Sequence, residues 1–250
     1  MRVAVVTGGS SGIGAALARA LTGRGWHCVL LARGRERLER VAAELNAEFE
    51  QCDVSDCDQV ERVARRVGEA HPAVHLLVNN AGVSERRDFL ELSPERIEEV
   101  VRINYLGSVW CLRAFLPLLE AGAPSDVVNV VSVAGTIPYG SGGAYTASKH
   151  AQLAFSRRLA VELAPRGIRV HTINPGPVPT PSFPQDRLLR HRLARHWVLS
   201  PEEVAQAIVR VVERGGAEIM RPRSLRIVGV AQSLAPATIA RVMARWGRSA

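Results

Sequence analysis

Lysine is almost missing from this chain. Lys149 is the only one in 250 residues, so 31 of the 32 basic side chains are arginine. Cysteine is scarce too. Cys28, Cys52, Cys57 and Cys111 form no C-x-x-C pair and accompany no histidines at zinc-ligand spacing, so they read as reduced thiols. The seven histidines are no better arranged: His191 and His196 are i and i+5, not the i, i+4 that shares a metal on one helix face, and no catalytic metal is expected. Aromatics are 5% of the chain. No apolar run approaches the roughly 18 residues of a membrane span. Met1-Arg2 leads directly into Val3-Ala4-Val5-Val6 and a glycine-rich turn, without the regions of a secretory leader, so the expected location is the cytoplasm.

What the chain does have is apolar material, 47% of it, enough to bury a substantial core and exclude wholesale disorder. The formal charge is +8. Its arginines are scattered over predicted helices, as Arg62, Arg65 and Arg66 are, and no DNA- or RNA-binding motif accompanies them, so they read as a solvated face with no nucleic-acid partner.

Short apolar strands alternate with helix-periodic segments. Strands are expected at 3–6, 27–32, 49–52, 74–79, 127–131 and 169–173, and helices at 12–24, 36–45, 59–69, 95–119 and 144–163. Continuous apolar strands joined by helical crossovers imply a parallel sheet covered on both faces, hence an α/β fold in three layers. No linker or repeat interrupts it, so 1–250 reads as one domain. Pro175 to Pro181 carries four prolines, and an Arg- and His-rich stretch follows. Residues 180–199 are therefore expected to form a substrate-loop or lid region. A helix at 201–214 follows, with Ser200 as N-cap and Pro201 at the first position. The tail at 223–250 is apolar and basic; packing on a partner subunit or over the pocket is preferred to a membrane surface.

Two constellations carry chemistry. Thr7-Gly8-Gly9-Ser10-Ser11-Gly12-Ile13-Gly14 lies between the first strand and the first helix. Glycines there let the backbone turn tightly and approach a pyrophosphate, and the helix N-terminus offers N–H groups and partial positive charge to it. The second is Tyr145-Thr146-Ala147-Ser148-Lys149, with Ser132 upstream at the end of the fifth strand. Tyr145 and Lys149 are i and i+4, on one helix face. An ammonium near a phenol stabilises the phenolate, pulling down a pKa that starts near 10, and makes Tyr145 a proton donor and acceptor. Ser132 is placed to hydrogen-bond a substrate carbonyl oxygen as negative charge grows on it.

The T-G-x-x-x-G-I-G and Y-x-x-x-K motifs resemble those of the short-chain dehydrogenase/reductase family, over about residues 2 to 215. The resemblance implies a doubly wound Rossmann sheet of about seven strands. It also implies that Gly8, Ser10, Ser11, Gly12, Ile13 and Gly14 hold the pyrophosphate end of a nicotinamide dinucleotide, that Asp53 and Val54 meet its adenine, and that Asn80, Ala81 and Gly82 flank it. Tyr145 and Lys149 would touch it as well, and Pro175, Gly176, Val178 and Thr180 would meet its carboxamide end. Asn104 is implied as the fourth member of a Ser-Tyr-Lys-Asn set that relays protons through a water. At the end of the second strand Ala32-Arg33-Gly34-Arg35 has no acid before Glu36. Arg33 suits a 2′-phosphate, so NADP(H) is preferred to NAD(H), although Ser11 departs from the basic residue the family places before Gly12 in its NADP-binding members.

These readings lead to an NADP(H)-dependent oxidoreductase moving hydride between the nicotinamide and a ketone or secondary alcohol. Phe183 and Trp197 point to a moderately apolar small-molecule substrate. The family also implies a homodimer or homotetramer. Two alternatives stay open: a dehydratase or epimerase that uses the cofactor only transiently, and a non-catalytic NADP-binding sensor or nucleic-acid-associated module on the same fold.

Overall fold

The computed structural model describes residues 1–85, 87–137, 142–180, 194–239 and 241. The expectations for Phe183, for the arginines from Arg187 to Arg192, and for the tail from Val242 to Trp246 lie outside the described residues.

Val3 to Val6 cannot hide on one face of a sheet, because successive side chains alternate. Both faces are covered instead. In β1 (Arg2–Thr7), Ala4 and Val6 enter one core with Leu17, Leu21, Leu38 and Ile208, while Val3 and Val5 enter the other with Val60, Val63, Phe115 and Leu159. The first core is roofed by α1 (Gly12–Thr22), α2 (Arg35–Leu45) and α7 (Pro201–Arg214). The second is roofed by α3 (Cys57–Ala70), α5 (Gly107–Ala121) and α6 (Gly143–Glu162).

The sheet has seven strands in the order β3-β2-β1-β4-β5-β6-β7, every neighbouring pair parallel. The others are β2 (Trp26–Ala32), β3 (Glu48–Gln51), β4 (Leu76–Asn79), β5 (Ser125–Val130), β6 (Ile168–Pro175) and β7 (Glu218–Arg221). The chain winds outward from β1 to β3, then crosses back to lay β4 on the other side of β1. That reversal opens a crevice at the carboxyl ends of β1 and β4, where open α/β sheets take ligands. This is the expected doubly wound Rossmann architecture.

Two local features depart from the sequence pattern. The stretch read as one helix over 95–119 is α4 (Pro94–Val101) and α5 joined by a π-helical turn at Arg102–Leu106, with Asn104 at its centre. A single π turn inside an α-helix often marks a functional site. β7 lies in a stretch to which the sequence pattern assigned no strand. Its Glu218-Ile219-Met220-Arg221 has no long apolar run, and it exists because β6 supplies a ladder and the Glu218 carboxylate accepts from Nε and Nη2 of Arg157 at 2.8 and 3.0 Å. The tail begins as α8 (Leu225–Leu234), with Ile227, Val230 and Leu234 exposed. Among the described residues no helix is long and apolar enough to cross a membrane.

Candidate active site

A crevice of about 900 Å³ runs along the carboxyl ends of the strands. At its floor Thr7 ends β1, and its hydroxyl fastens two strands together: it donates to Val78 O at 3.0 Å and accepts from the backbone N–H groups of Asn80 and Ala81 at 2.9 and 3.0 Å. Asn80 Nδ2 returns a bond to Thr7 O at 2.9 Å. Gly8, Ser10, Ser11, Gly12 and Ile13 line the crevice beside Asn80, Ala81 and Gly82. Gly12 has φ +53, and a Cβ there would stand 2.8 Å from Cγ2 of Thr180. Ser11 is the N-cap of α1, but its side chain makes no capping bond, so the first-turn N–H groups are left for something in the crevice.

Gly14 does not line the crevice. Its Cβ position runs into the carbonyl oxygen of Gly8, so its place is behind the turn, where it lets helix and strand approach.

At the end beside β2 and β3 the crevice is lined by Arg33, Asp53 and Val54. Arg35 is engaged by Glu39 at 2.7 Å and Arg40 by Glu36 at 3.3 Å, whereas the Arg33 guanidinium lies 3.9 Å from Asp53 and is half exposed. The Asp53 carboxylate accepts from the backbone and hydroxyl of Ser55 at 2.9 and 2.7 Å. At the other end Pro175, Gly176, Val178 and Thr180 line the wall.

Ser132, Tyr145 and Lys149 meet between these ends. Ser132 follows β5 and caps a short 3-10 turn, Val133–Gly135, its hydroxyl accepting from Ala134 N at 3.1 Å. The Ser132 side chain also hydrogen-bonds the Tyr145 phenol. α6 carries Tyr145 and Lys149 one turn apart, and Gly135 lets the loop after β5 come close: a Cβ there would sit 2.9 Å from Lys149 O.

The electrostatics differ from the simple expectation of a depressed phenol. Burial pushes the Tyr145 pKa up, and the Ser132 hydrogen bond works against that rise. Burial also drives Lys149 down to about 7. Lys149 is 4% exposed. Its ammonium donates to Val130 O at 3.1 Å and to Gln152 Oε1 at 2.8 Å. Desolvation thus outweighs the charge effect anticipated from i, i+4 spacing alone.

Asn104 is fully buried and does not line the crevice. Its amide spans three elements: Oδ1 accepts from Val83 N at 2.8 Å, and Nδ2 donates to Val83 O and to Ser148 Oγ, each at 3.0 Å. With its side chain so engaged, its carbonyl faces Ser108, whose hydroxyl donates to it at 3.4 Å. Gln152 Nε2 in turn donates to Ser108 Oγ at 2.8 Å. Gln152 and Ser108 were not anticipated from the sequence. A glutamine three residues past the lysine was the one available signal, since i and i+3 share a helix face.

Known proteins resemble this chain closely. A family model described as short chain dehydrogenase matches residues 2–188. The 1-deoxy-11-beta-hydroxypentalenate dehydrogenase of Streptomyces exfoliatus is 37% identical over 188 residues, 72% of this chain and 68% of that protein. A dehydrogenase/reductase SDR family protein 7-like of Anopheles gambiae is 33% identical over 236 residues, 88% of this chain and 74% of that protein. The crystal structure of an alcohol dehydrogenase from the archaeon Thermococcus sibiricus, complexed with 5-hydroxy-NADP, superposes with a TM-score of 0.78 at 32% identity, covering 88% of this chain and 95% of that one. The fold and the crevice define a Rossmann-type oxidoreductase. The chain belongs to the short-chain dehydrogenase/reductase family.

Proposed function

We propose that the protein is an NADP(H)-dependent oxidoreductase acting on a ketone or secondary alcohol of moderately apolar character. The observation that carries this reading is the Tyr145 phenol, hydrogen-bonded to Ser132 in the same crevice that Lys149 lines.

The crevice fits a dinucleotide. At Gly12 a Cβ would press on the Thr180 side chain, so glycine keeps the crevice wall close there, and the uncapped first turn of α1 offers its N–H groups to a pyrophosphate. The bound nicotinamide supplies hydride in reduction and accepts it in oxidation. In reduction Tyr145 gives its phenolic proton to the carbonyl oxygen, which becomes the alcohol hydroxyl, while Ser132 orients that oxygen and bears part of its growing charge. Lys149, as the ammonium, stabilises the phenolate left behind and holds ribose hydroxyls. Asn104 acts behind it, its amide fixing the chain at Val83 and Ser148 while its carbonyl accepts from Ser108. Running the same steps backward oxidises an alcohol, with the Tyr145 phenolate taking the hydroxyl proton.

Arg33 supports NADP(H) over NAD(H). It is the basic residue directly after β2, its carboxylate neighbour is 3.9 Å away, and a guanidinium binds a phosphate bidentately. Phe89, exposed and 3.6 Å from where a Cβ on Gly143 would stand, supports an apolar rim beside Tyr145. The proposal keeps one domain over 1–250, with 180–199 assigned as the substrate-loop region and 223–250 as a tail, in a cytoplasmic homodimer or homotetramer.

The test is a spectrophotometric screen of NADPH and NADH against steroid, quinone, 3-oxoacyl and aryl ketones. Stoichiometric oxidation of NADPH in preference to NADH is the expected outcome. No net cofactor turnover with any carbonyl would contradict the proposal.

A further inference from the structure

We propose that His27, Glu48 and His71 form a zinc-binding site at the end of the sheet opposite the crevice. Their ligand atoms lie within 4.8 Å of one another. The three come from three elements: His27 is the second residue of β2, Glu48 the first of β3, and His71 the C-cap of α3. They are 21 and 23 residues apart, so no spacing motif announces them in the sequence.

The donor set suits zinc. Neutral imidazole nitrogen and carboxylate oxygen are both ordinary zinc ligands, and two histidines with one carboxylate leave a fourth tetrahedral position for water. His27 Nε2 is 2.8 Å from Glu48 Oε1, and His71 Nε2 is 3.1 Å from both Glu48 oxygens. The imidazole rings stand 5.0 Å apart at 45°. Ligands each about 2.1 Å from a tetrahedral zinc are about 3.4 Å from one another. The histidine–glutamate separations therefore open by a few tenths of an ångström, and the rings draw inward. Each imidazole must then carry its proton on Nδ1 rather than Nε2, a tautomer change that costs little in a neutral ring.

The scaffold holds the three side chains in place without the ion. β2 is laddered on both sides, by β1 and β3. His71 is buried, and its backbone N–H closes α3 onto Val67 O at 2.8 Å. Burial works to raise the Glu48 pKa, yet the hydrogen bonds from His71 and His27 outweigh it and hold the group below its ordinary value. Half of the Glu48 side chain remains open to solvent, which provides an entry path and the water position.

The ion's effect would be structural. β3 is an edge strand of the sheet, only four residues long, and zinc would tie it to β2 and to the end of α3. His27 precedes Ala32, the last residue of β2, by five positions, so the cluster stands about 16 Å from the crevice end of that strand. Zinc there should leave turnover untouched.

The test uses the whole untagged protein, stripped with a chelator and titrated calorimetrically with zinc chloride, alongside thermal unfolding. The expected result is one equivalent bound with Kd below about 10 µM and a higher melting temperature with zinc present. His27→Gln and His71→Gln, which keep a donor for Glu48, should each weaken binding at least tenfold, and Glu48→Gln should do the same. Circular dichroism of each variant checks its fold, and any one folded variant is enough to read the outcome. Carbonyl turnover should match the parent in all of them. No binding to the parent at 100 µM zinc overturns the proposal. So does undiminished binding in every folded variant, which would place the zinc elsewhere.

Discussion

Lys149 Nζ donates a 2.8 Å hydrogen bond to Oε1 of Gln152, and both side chains are buried. Through Gln152 Nε2 and Ser108 Oγ the connection continues to the carbonyl of Asn104. Lys149 is thus held by its own helix and tied to the π turn.

Gln152→Leu removes that acceptor and leaves the buried ammonium with less to offset its lost hydration, so its pKa, already about 7, falls further. If the ammonium form supports Tyr145, kcat/KM for carbonyl reduction loses about tenfold at pH 7.5, and the descending limb of its pH profile moves to lower pH. Gln152→Glu, which adds a negative partner, moves that limb the other way. A profile that ignores both substitutions would contradict this role for Gln152.

Burying a lysine for function carries a stability cost with a definite pH sign. The folded pKa of Lys149, about 7, lies below its ordinary 10.5. Between those values the unfolded chain binds more protons, so this group makes the protein more stable as pH rises from about 7 toward 10 and destabilises it fully below. Holding the ammonium in place at pH 6 costs on the order of 5 kcal/mol. Lys149→Met removes that cost but leaves Gln152 Oε1 and Val130 O without their donor, so the net gain at pH 6 is about 1–3 kcal/mol. Denaturant unfolding at pH 6 and pH 10 checks it: the gain should shrink at pH 10 while carbonyl turnover is lost at both.

Arg33 sets the choice of cofactor in this account. Arg33→Ala should reduce kcat/KM for NADPH by about 10- to 100-fold, the worth of one charged hydrogen-bonding partner, and leave NADH nearly unchanged. Arg33→Asp should reverse the preference, because a carboxylate binds ribose hydroxyls and repels a 2′-phosphate. Steady-state kinetics with both cofactors reads the outcome.

Gly14→Ala and Gly34→Ala make a contrast around one crevice, the first behind its glycine turn and the second on its wall. A Cβ at Gly14 strikes the Gly8 carbonyl, while nothing lies within 4 Å of one at Gly34. The first should destabilise the protein by about 1–3 kcal/mol and spoil dinucleotide binding, since backbone must shift. The second, at φ −85, should stay within about 0.5 kcal/mol of the parent. Thermal unfolding and cofactor titration distinguish the two.

The parts of this molecule legible in its sequence are those encoded locally. Ser200, Pro201 and Glu203 write the start of α7 as a complete capping box, and its bounds were readable to the residue. The apolar runs of β1 and β2 announced buried parallel strands for the same reason. β7 was not legible, because its four residues become a strand only through β6 and Glu218's ion pair. Asn104 was named only through the family resemblance, and the π turn that accommodates it depends on Val83 and Ser148, distant in the chain. The phenol–lysine spacing was plain. The desolvation that governs both their pKa values depends on what encloses them, and one-dimensional spacing does not carry that.

The most direct measurement is Tyr145→Phe, which removes one oxygen and little volume. NADPH binding, followed by fluorescence titration, should stay within about twofold, while carbonyl turnover falls by about 10²- to 10⁴-fold. Turnover at the parent rate with cofactor binding intact would contradict the assignment of the proton to this phenol.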